Sequence, residues 1–303
     1  MKGIRSPWAI VISVMLASAG IWAQDSASSG ASRPAVTSWF TSKQVAPGTW
    51  RIDDNGTDNM YLVEGRDKAL LIDTGIGAAR LLAHVKTLTS KPLMVVNTHG
   101  HPDHAGGNFE FKQVFIHPAD MAMARQMASP NVRSRSIQAM AAGKTASDRY
   151  SPKNPPSAAE PELLPISDGH VFDLGGRRIE VIATPGHTPG EIVLLDAAHK
   201  LLFTGDDNNS LVWLFLPTCL PLDVYLRSLQ KLEKRYAEFE TLLPGHGDPL
   251  PKRFLNDQIA CVNGILDGTL ATEPYDSFAG KGMQARYGMA VVTFNPNNLR
   301  DKK

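Results

Sequence analysis

One short run constrains this chain more than any other: Thr98-His99-Gly100-His101-Pro102-Asp103-His104. Three histidines and an aspartate fall within six residues, just after the apolar, β-branched run Leu93-Met94-Val95-Val96. Imidazole and carboxylate are ligands that borderline cations such as Zn²⁺ prefer. A strand ending at Asn97 would send His99 and His101 to one side, two residues apart. The turn set by Pro102 would bring Asp103 and His104 round to a second point, so one loop could feed two neighbouring ions. A lone histidine at a strand end is ordinarily a hydrogen-bonded surface or core residue. Four ligand-type residues at this spacing predict a metal site.

The rest of the chain reads as strands and helices alternating in two similar halves, an α/β pattern of sheets covered by helices. In the first half, Thr49–Ile52 and Asn59–Glu64 flank an Asn55-Gly56 turn as a hairpin. Ala69–Asp73 is a wholly apolar strand ending in aspartate, and Arg80–Leu88 is a short amphipathic helix before the ligand loop. Val114–Ile116 reads as a buried strand. From Pro118 to about Met140 the chain is rich in Ala, Met and Gln, which favours helix, and its methionines read as adaptable packing. Ser151–Pro165 contains five prolines and reads as an irregular crossing segment.

The second half repeats the logic. Val171–Leu174 and Arg178–Ala183 form a hairpin about Gly175-Gly176, and Glu191–Asp196 and Lys200–Thr204 are further strands. Asp223 is expected to cap a helix carrying Val224, Leu226, Leu229, Leu232 and Tyr236. Thr241–Leu243 is a short strand, Arg253–Leu266 a last helix, and Ala290–Phe294 a strand near the C-terminus.

Three further residues lie where a shared site needs them. His187, Asp206 and His246 each follow a strand, beside Gly or Pro, and small residues let the backbone turn sharply and bring a ligand close. With Asp73 in Leu71-Ile72-Asp73-Thr74-Gly75 and the opening loop, these residues resemble the metallo-β-lactamase-fold hydrolase superfamily over about residues 45–250. The resemblance implies a four-layer αβ/βα sandwich of two mixed β-sheets flanked by helices, with the metals at one edge of the packed sheets. It implies that His99, His101 and His187 hold one ion and Asp103, His104 and His246 a second, with Asp206 bridging both. Asp73 would support the ligand loop without binding metal. The cofactor is expected to be two divalent ions, Zn²⁺ first, with Fe or Mn as alternatives. Such ions lower the pKa of water toward neutrality and polarise a carbonyl, while Asp103 would orient the nucleophile.

Members of this superfamily cleave β-lactams, lactones, thioesters, phosphodiesters and sulfate esters. A Glu in place of His101 would mark a flavodiiron-type oxygen reductase. The segment Thr204-Gly205-Asp206 lacks the cysteine of one β-lactamase group, while Asp206 points toward glyoxalase II and the lactonases. Glyoxalase II would carry a larger C-terminal region than the roughly fifty residues after His246. The expectation is a dinuclear hydrolase of a carboxylic ester, lactone or amide. The alternatives are a metallo-β-lactamase and a mono-iron persulfide dioxygenase-like enzyme using His99, His101 and Asp206. Leu211–Leu216 follows Asp206 and is either a core strand or a substrate wall built on Trp213 and Phe215. As a wall it would imply a small-molecule substrate with an apolar portion.

Composition frames this reading. The chain has 303 residues, 43% apolar and 20% charged, ordinary for a globular protein. No basic patch, heptad or internal repeat supports a nucleic-acid or filament partner. Lys2 and Arg5 precede the apolar Trp8–Leu16, and small residues at Ala17-Ser18-Ala19 and Ile21-Trp22-Ala23 offer cleavage sites. Residues 1–23 are expected to be a cleaved leader, directing a periplasmic or secreted protein that is not inserted in a membrane. Their loss would shift the net charge from +1 to −1, since they carry two basic and no acidic residues. Ser, Ala and Gly at 24–38 predict a linker, and 39–303 a single domain with a helical insertion at about 118–165. Cys219 and Cys261 could pair in an oxidising compartment, but their spacing alone fixes no geometry. His84, His117, His170 and His199 read as surface or turn residues. The sequence leaves the oligomeric state open.

Overall fold

The computed structural model describes residues 38–146, 148–150 and 160–301. The expected leader at 1–23, the linker up to residue 37 and residues 151–159 of the proline-rich segment lie outside the described residues. The first half contains β1 (Thr41–Ala46), β2 (Thr49–Asp53), β3 (Asn59–Glu64), β4 (Ala69–Ile72), α1 (Leu81–Leu88), β5 (Leu93–Val96), α2 (Pro102–Ala105) and β6 (Gln113–Ile116). It continues through α3 (Met121–Ala128), α4 (Pro130–Met140) and β7 (Glu162–Pro165). Its seven strands form one sheet in chain order, antiparallel from β1 to β4 and parallel from β4 to β7.

The second half contains β8 (Val171–Asp173), β9 (Arg178–Ala183), β10 (Ile192–Asp196), β11 (Leu201–Gly205), β12 (Leu211–Leu214) and α5 (Leu222–Glu233). It closes with β13 (Thr241–Pro244), β14 (Leu250–Pro251), α6 (Phe254–Leu266), β15 (Glu273–Ser277), β16 (Gly280–Tyr287) and β17 (Ala290–Phe294). A six-stranded sheet runs β14-β13-β11-β10-β9-β8, and a third, smaller sheet runs β12-β17-β16-β15.

Strand alternation builds the layers. In β3, Met60 and Leu62 join a core with Val85 and Ala124 of the helices, while Tyr61 and Val63 face the other way into a core shared with Ile192 and Leu194 of β10. In β10, Val193 and Leu195 point onward into a third core with Leu229 of α5 and Phe254 of α6. Three cores between four layers are the αβ/βα sandwich. Strands buried on both faces read as unbroken apolar runs, as Ala69–Ile72 and residues 192–195 do. Truncating a fully buried leucine such as Leu194 to alanine would cost about 2–5 kcal/mol.

Three details differ from the expectation. Glu162–Pro165 is not part of a helical insertion: it pairs in parallel with β6 as the edge strand of the first sheet, so the described helix ends at Met140. Asp223 is not the cap of α5; Pro221 holds that position, and Asp223 sits in the first turn accepting from Arg227 and the Asp301 backbone N–H. β1, mostly exposed, and the β15–β16 hairpin were not legible, because neither offers a sustained apolar alternation. Cys219 and Cys261 are both buried and free, so the disulfide that an oxidising compartment would allow is not formed between them. Among the described residues, no helix is long and apolar enough to cross a membrane.

Candidate metal centre

Topology brings the ligand-type residues to one edge. β4 and β5 run parallel, as do β11 and β13. Asp73, the Thr98–His104 loop, Asp206 and His246 therefore follow C-terminal strand ends, where open α/β sheets place their sites. His187 lies in the β9–β10 connection. The two sheets are stapled there: Tyr61 Oη and Asn59 Nδ2 donate to the Pro244 carbonyl at 2.8 and 3.1 Å, and the Ile192 N–H donates to the Thr98 carbonyl at 3.0 Å.

All seven sequence-expected residues converge. His99 Nε2 lies 3.1 Å from His101 Nδ1, which lies 2.9 Å from His187 Nε2. Beside them, Asp103, His104 and His246 form a second group, with Asp103 Oδ2 3.4 Å from His246 Nε2. Asp206 sits between the groups. Its Oδ1 is 3.3 Å from His104 Nε2 and 3.4 Å from His246 Nε2, while its Oδ2 is 3.4 Å from His187 Nε2. The side chains of Asp103 and Asp206 are about nine-tenths buried, whereas that of His246 is 33% exposed and marks the mouth.

The outward-facing nitrogens explain why the inner ones point inward. His187 Nδ1 donates to the Trp213 carbonyl at 2.7 Å, which leaves the Nε2 lone pair facing the group. His104 Nδ1 meets Asp73 Oδ2 at 3.0 Å, His99 Nδ1 lies near Thr98 Oγ1 and Glu191, and His101 Nε2 faces Thr218 Oγ1 at 3.3 Å. Such outer partners set the tautomer and ring orientation of metal-ligating histidines. His104 Nε2 is itself buried with no hydrogen-bond partner among the described residues, an orphan that would be costly unless something occupies it. Imidazole lone pairs and carboxylate oxygens aimed at common points are a donor set that fits divalent metal.

The electrostatics differ between the groups. Burial, followed by neighbouring imidazoles, pushes His99 well below the usual histidine range and His101 down to about 3. Burial works in the same direction on His104 and His246, but there the carboxylates, Asp206 foremost, prevail and hold both well above it. Against its own burial, Asp103 is held down to about 2 by His104 and His246.

Asp73 has φ 65°, a left-handed conformation uncommon for a non-glycine residue. That turn lets its carboxylate accept from the Thr98 N–H and hydroxyl, both at 2.8 Å, while meeting His104. Gly245 is needed for a different reason. A Cβ there would stand 2.7 Å from both Asp206 Oδ1 and His104 Cε1.

The sequence reading missed three buried supports. Asp120 accepts from the Gly100 N–H (3.0 Å), the Gly190 N–H (2.8 Å) and the Thr188 hydroxyl (2.6 Å), tying the His99–His101 loop to the His187 loop. Glu191 accepts from the Asp206 N–H, and burial together with Asp207 and Asp206 pushes its carboxyl well above the usual range. Asn209 joins the last two ligands, donating to Asp206 Oδ1 and accepting from the His246 N–H. None stands in a run of ligand-type residues, so no sequence signal sets them apart.

The candidate wall also divides. Trp213 is half-buried, while Phe215 is only 6% exposed and packs beneath it, a support rather than a surface. His84, His117, His170 and His199 make local contacts, to Ser42, the Ala119 N–H, Phe172 and Asp196 respectively.

Residues 54–246 match the sequence profile of the metallo-beta-lactamase superfamily. The chain belongs to that superfamily. It is 32% identical over 234 residues to the acyl-coenzyme A thioesterase MBLAC2 of Gallus gallus, covering 69% of this chain and 80% of the relative. It is 29% identical over 138 residues to the hydroxyacylglutathione hydrolase GloC of Haemophilus influenzae, covering 46% of this chain and 60% of that protein. Among solved structures, a metallo-beta-lactamase from Pontibacter korlensis superposes with TM-score 0.54 at 18% identity, over 74% of this chain and 99% of that one, a likeness of fold. This metallo-β-lactamase superfamily member is a hydrolase, and its His/Asp cluster is suited to metal ions.

Proposed function

We propose that the protein is a dinuclear metal-dependent hydrolase of acyl thioesters. Within the ester, lactone and amide range expected from the sequence, the names of the two relatives, an acyl-coenzyme A thioesterase and a hydroxyacylglutathione hydrolase, favour the thioester. The observation that carries the two-ion reading is Asp206, whose two oxygens face different groups. His99, His101 and His187 would hold one ion, Asp103, His104 and His246 the other, and Asp206 would touch both. Bound divalent ions, Zn²⁺ by the ligand chemistry, supply Lewis acidity and bring water's pKa toward neutrality. Asp103, near the mouth, accepts a hydrogen bond from the attacking water and orients it toward the thioester carbonyl. The buried walls about His99 and His104 keep bulk water from competing for the ligand atoms. A mono-iron enzyme would leave Asp103, His104 and His246 without a role, so their convergence favours two ions.

Elemental analysis together with free-thiol release from acylated coenzyme A and glutathione tests this reading. Two ions per chain and thioester turnover are expected. A single iron per chain would overturn the dinuclear reading, and cleavage of a chromogenic cephalosporin without thioester turnover would replace the thioesterase with a β-lactamase. Export to the periplasm is part of the proposal, supported by the charged and apolar N-terminal pattern. Sequencing the N-terminus of protein recovered from the periplasm should find residues 1–23 gone; cytosolic protein beginning at Met1 would refute it.

A further inference from the structure

Four aromatic side chains form a cluster on the outward face of the third sheet, and the metal centre does not use them. Val212 and Leu214 of β12 point into the core, so strand alternation sends Trp213 and Phe215 the other way. Trp213 packs at a tilt against Phe215 (5.4 Å between centroids) and edge-on against Phe278 (5.5 Å), and its Nε1 donates to Tyr275 Oη at 3.0 Å. Gly282 makes room: a Cβ there would stand 2.8 Å from Phe215 Cβ. Phe278, at the tip of the β15–β16 hairpin, is 54% exposed. This hairpin lies beyond residues 54–246, the part that matches the family.

The cluster is continuous with the metal centre. β12 is an edge strand, and its Trp213 carbonyl is the group that accepts from His187 Nδ1. Five residues on, Thr218 Oγ1 faces His101 Nε2. The segment that carries the aromatic face is thus also a wall of the three-histidine group. The Trp213 N–H is used by the Tyr275 oxygen, so what the cluster offers is mainly ring surface, with the Tyr275 hydroxyl proton its one remaining donor.

We propose that Trp213, Tyr275 and Phe278 form a platform for an apolar acyl chain, which sets the enzyme's preference toward longer straight-chain thioesters. This rests on the thioester reading, and Phe215 supports the platform from beneath. The occupant is a flexible hydrocarbon because recognition here is mainly by ring area, with no charged group in the cluster.

The test is a series of straight-chain acyl thioesters from acetyl to dodecanoyl on one thiol. The specificity constant should rise by up to about fourfold per added methylene. In Phe278→Ala and Trp213→Ala, the dodecanoyl-to-acetyl ratio should fall about two- to tenfold, the loss expected when an aromatic contact is removed. Phe278 stands exposed at a hairpin tip, so its truncation tests the platform without risk to the core. In parallel, a non-hydrolysable dodecanoyl thioether is titrated calorimetrically onto the metal-free protein. Binding with a negative heat-capacity change, weakened in both variants, supports the platform even if no thioester is turned over, an outcome that sinks only the thioesterase reading. A ratio and a thioether affinity that both ignore the two substitutions overturn the platform.

Discussion

The two halves of the metal centre are built in opposite ways. His99, His101 and His187 form a buried group of imidazoles whose members come from both halves of the chain, and burial pushes His99 and His101 below the usual histidine range. Their outer partners are equally scattered: Thr98, Glu191, Thr218 and the Trp213 carbonyl, with Asp120 joining the two loops. Asp103 and His104 instead arise from one turn of α2, steadied by Asp73, and meet a partly exposed His246. The first group is a product of tertiary packing. The second is mostly local, carries carboxylate charge and faces the mouth. If the site holds two ions, as proposed, they should therefore be held by different means and lost by different perturbations.

Asp206 is where the contrast should fail. It touches both groups, so Asp206→Ala should lower metal content at both positions and reduce the specificity constant by about 10³-fold or more, the size of several kcal/mol of Lewis-acid stabilisation. Elemental analysis and thiol release measure this; a variant that keeps two ions and near-native turnover would show that Asp206 bridges nothing.

Separating the groups should give intermediate effects. His187→Ala is expected to remove one equivalent of metal and leave the Asp103–His104–His246 position loadable, while His246→Ala should do the converse. Under graded chelation the wild type should release the ion near exposed His246 first. Equal loss of both ions in either variant would mean that the two positions cannot be filled independently.

The contrast also explains what the sequence disclosed. The compact run His99–His104 was legible because four ligand types sit within six residues, and His187, Asp206 and His246 because each ends a strand beside glycine or proline. Sheets covered by helices were legible in apolar strands such as Ala69–Ile72, whose runs leave no polar face, while the four-layer sandwich followed only from the family resemblance. Asp120 was not legible: an aspartate after Pro118-Ala119 is an ordinary helix start, and only the fold places Gly100 and Gly190 against its carboxylate. The β15–β16 hairpin escaped because the alternation of its first strand, Glu273-Pro274-Tyr275-Asp276-Ser277, is polar and interrupted by proline.

Asp120 turns that lesson into a measurement. Asp120→Asn keeps the volume but replaces one acceptor oxygen with a donor, so one of its ties to Gly100, Gly190 or Thr188 must loosen. Metal affinity at the three-histidine position should fall by about 10- to 100-fold, with a smaller change at the other. Cobalt substitution would show a perturbed absorption spectrum for the first ion alone. Equal weakening of both ions would instead mark Asp120 as a general structural residue.

The smallest expected effect isolates one outer contact. Thr218 Oγ1 stands 3.3 Å from His101 Nε2, and Thr218→Val preserves shape while deleting that oxygen. A single buried hydrogen bond contributes about 0.5–1.5 kcal/mol, so affinity for the first ion should drop roughly two- to tenfold, and Thr218→Ser should restore it. Because Thr218 lies on the segment that also carries Trp213, the acyl-chain preference should follow the platform residues and not this variant. A Thr218→Val protein that loses chain-length preference while keeping its metal would mean that the segment moves as one body, and that the wall and the three-histidine group cannot be tuned separately.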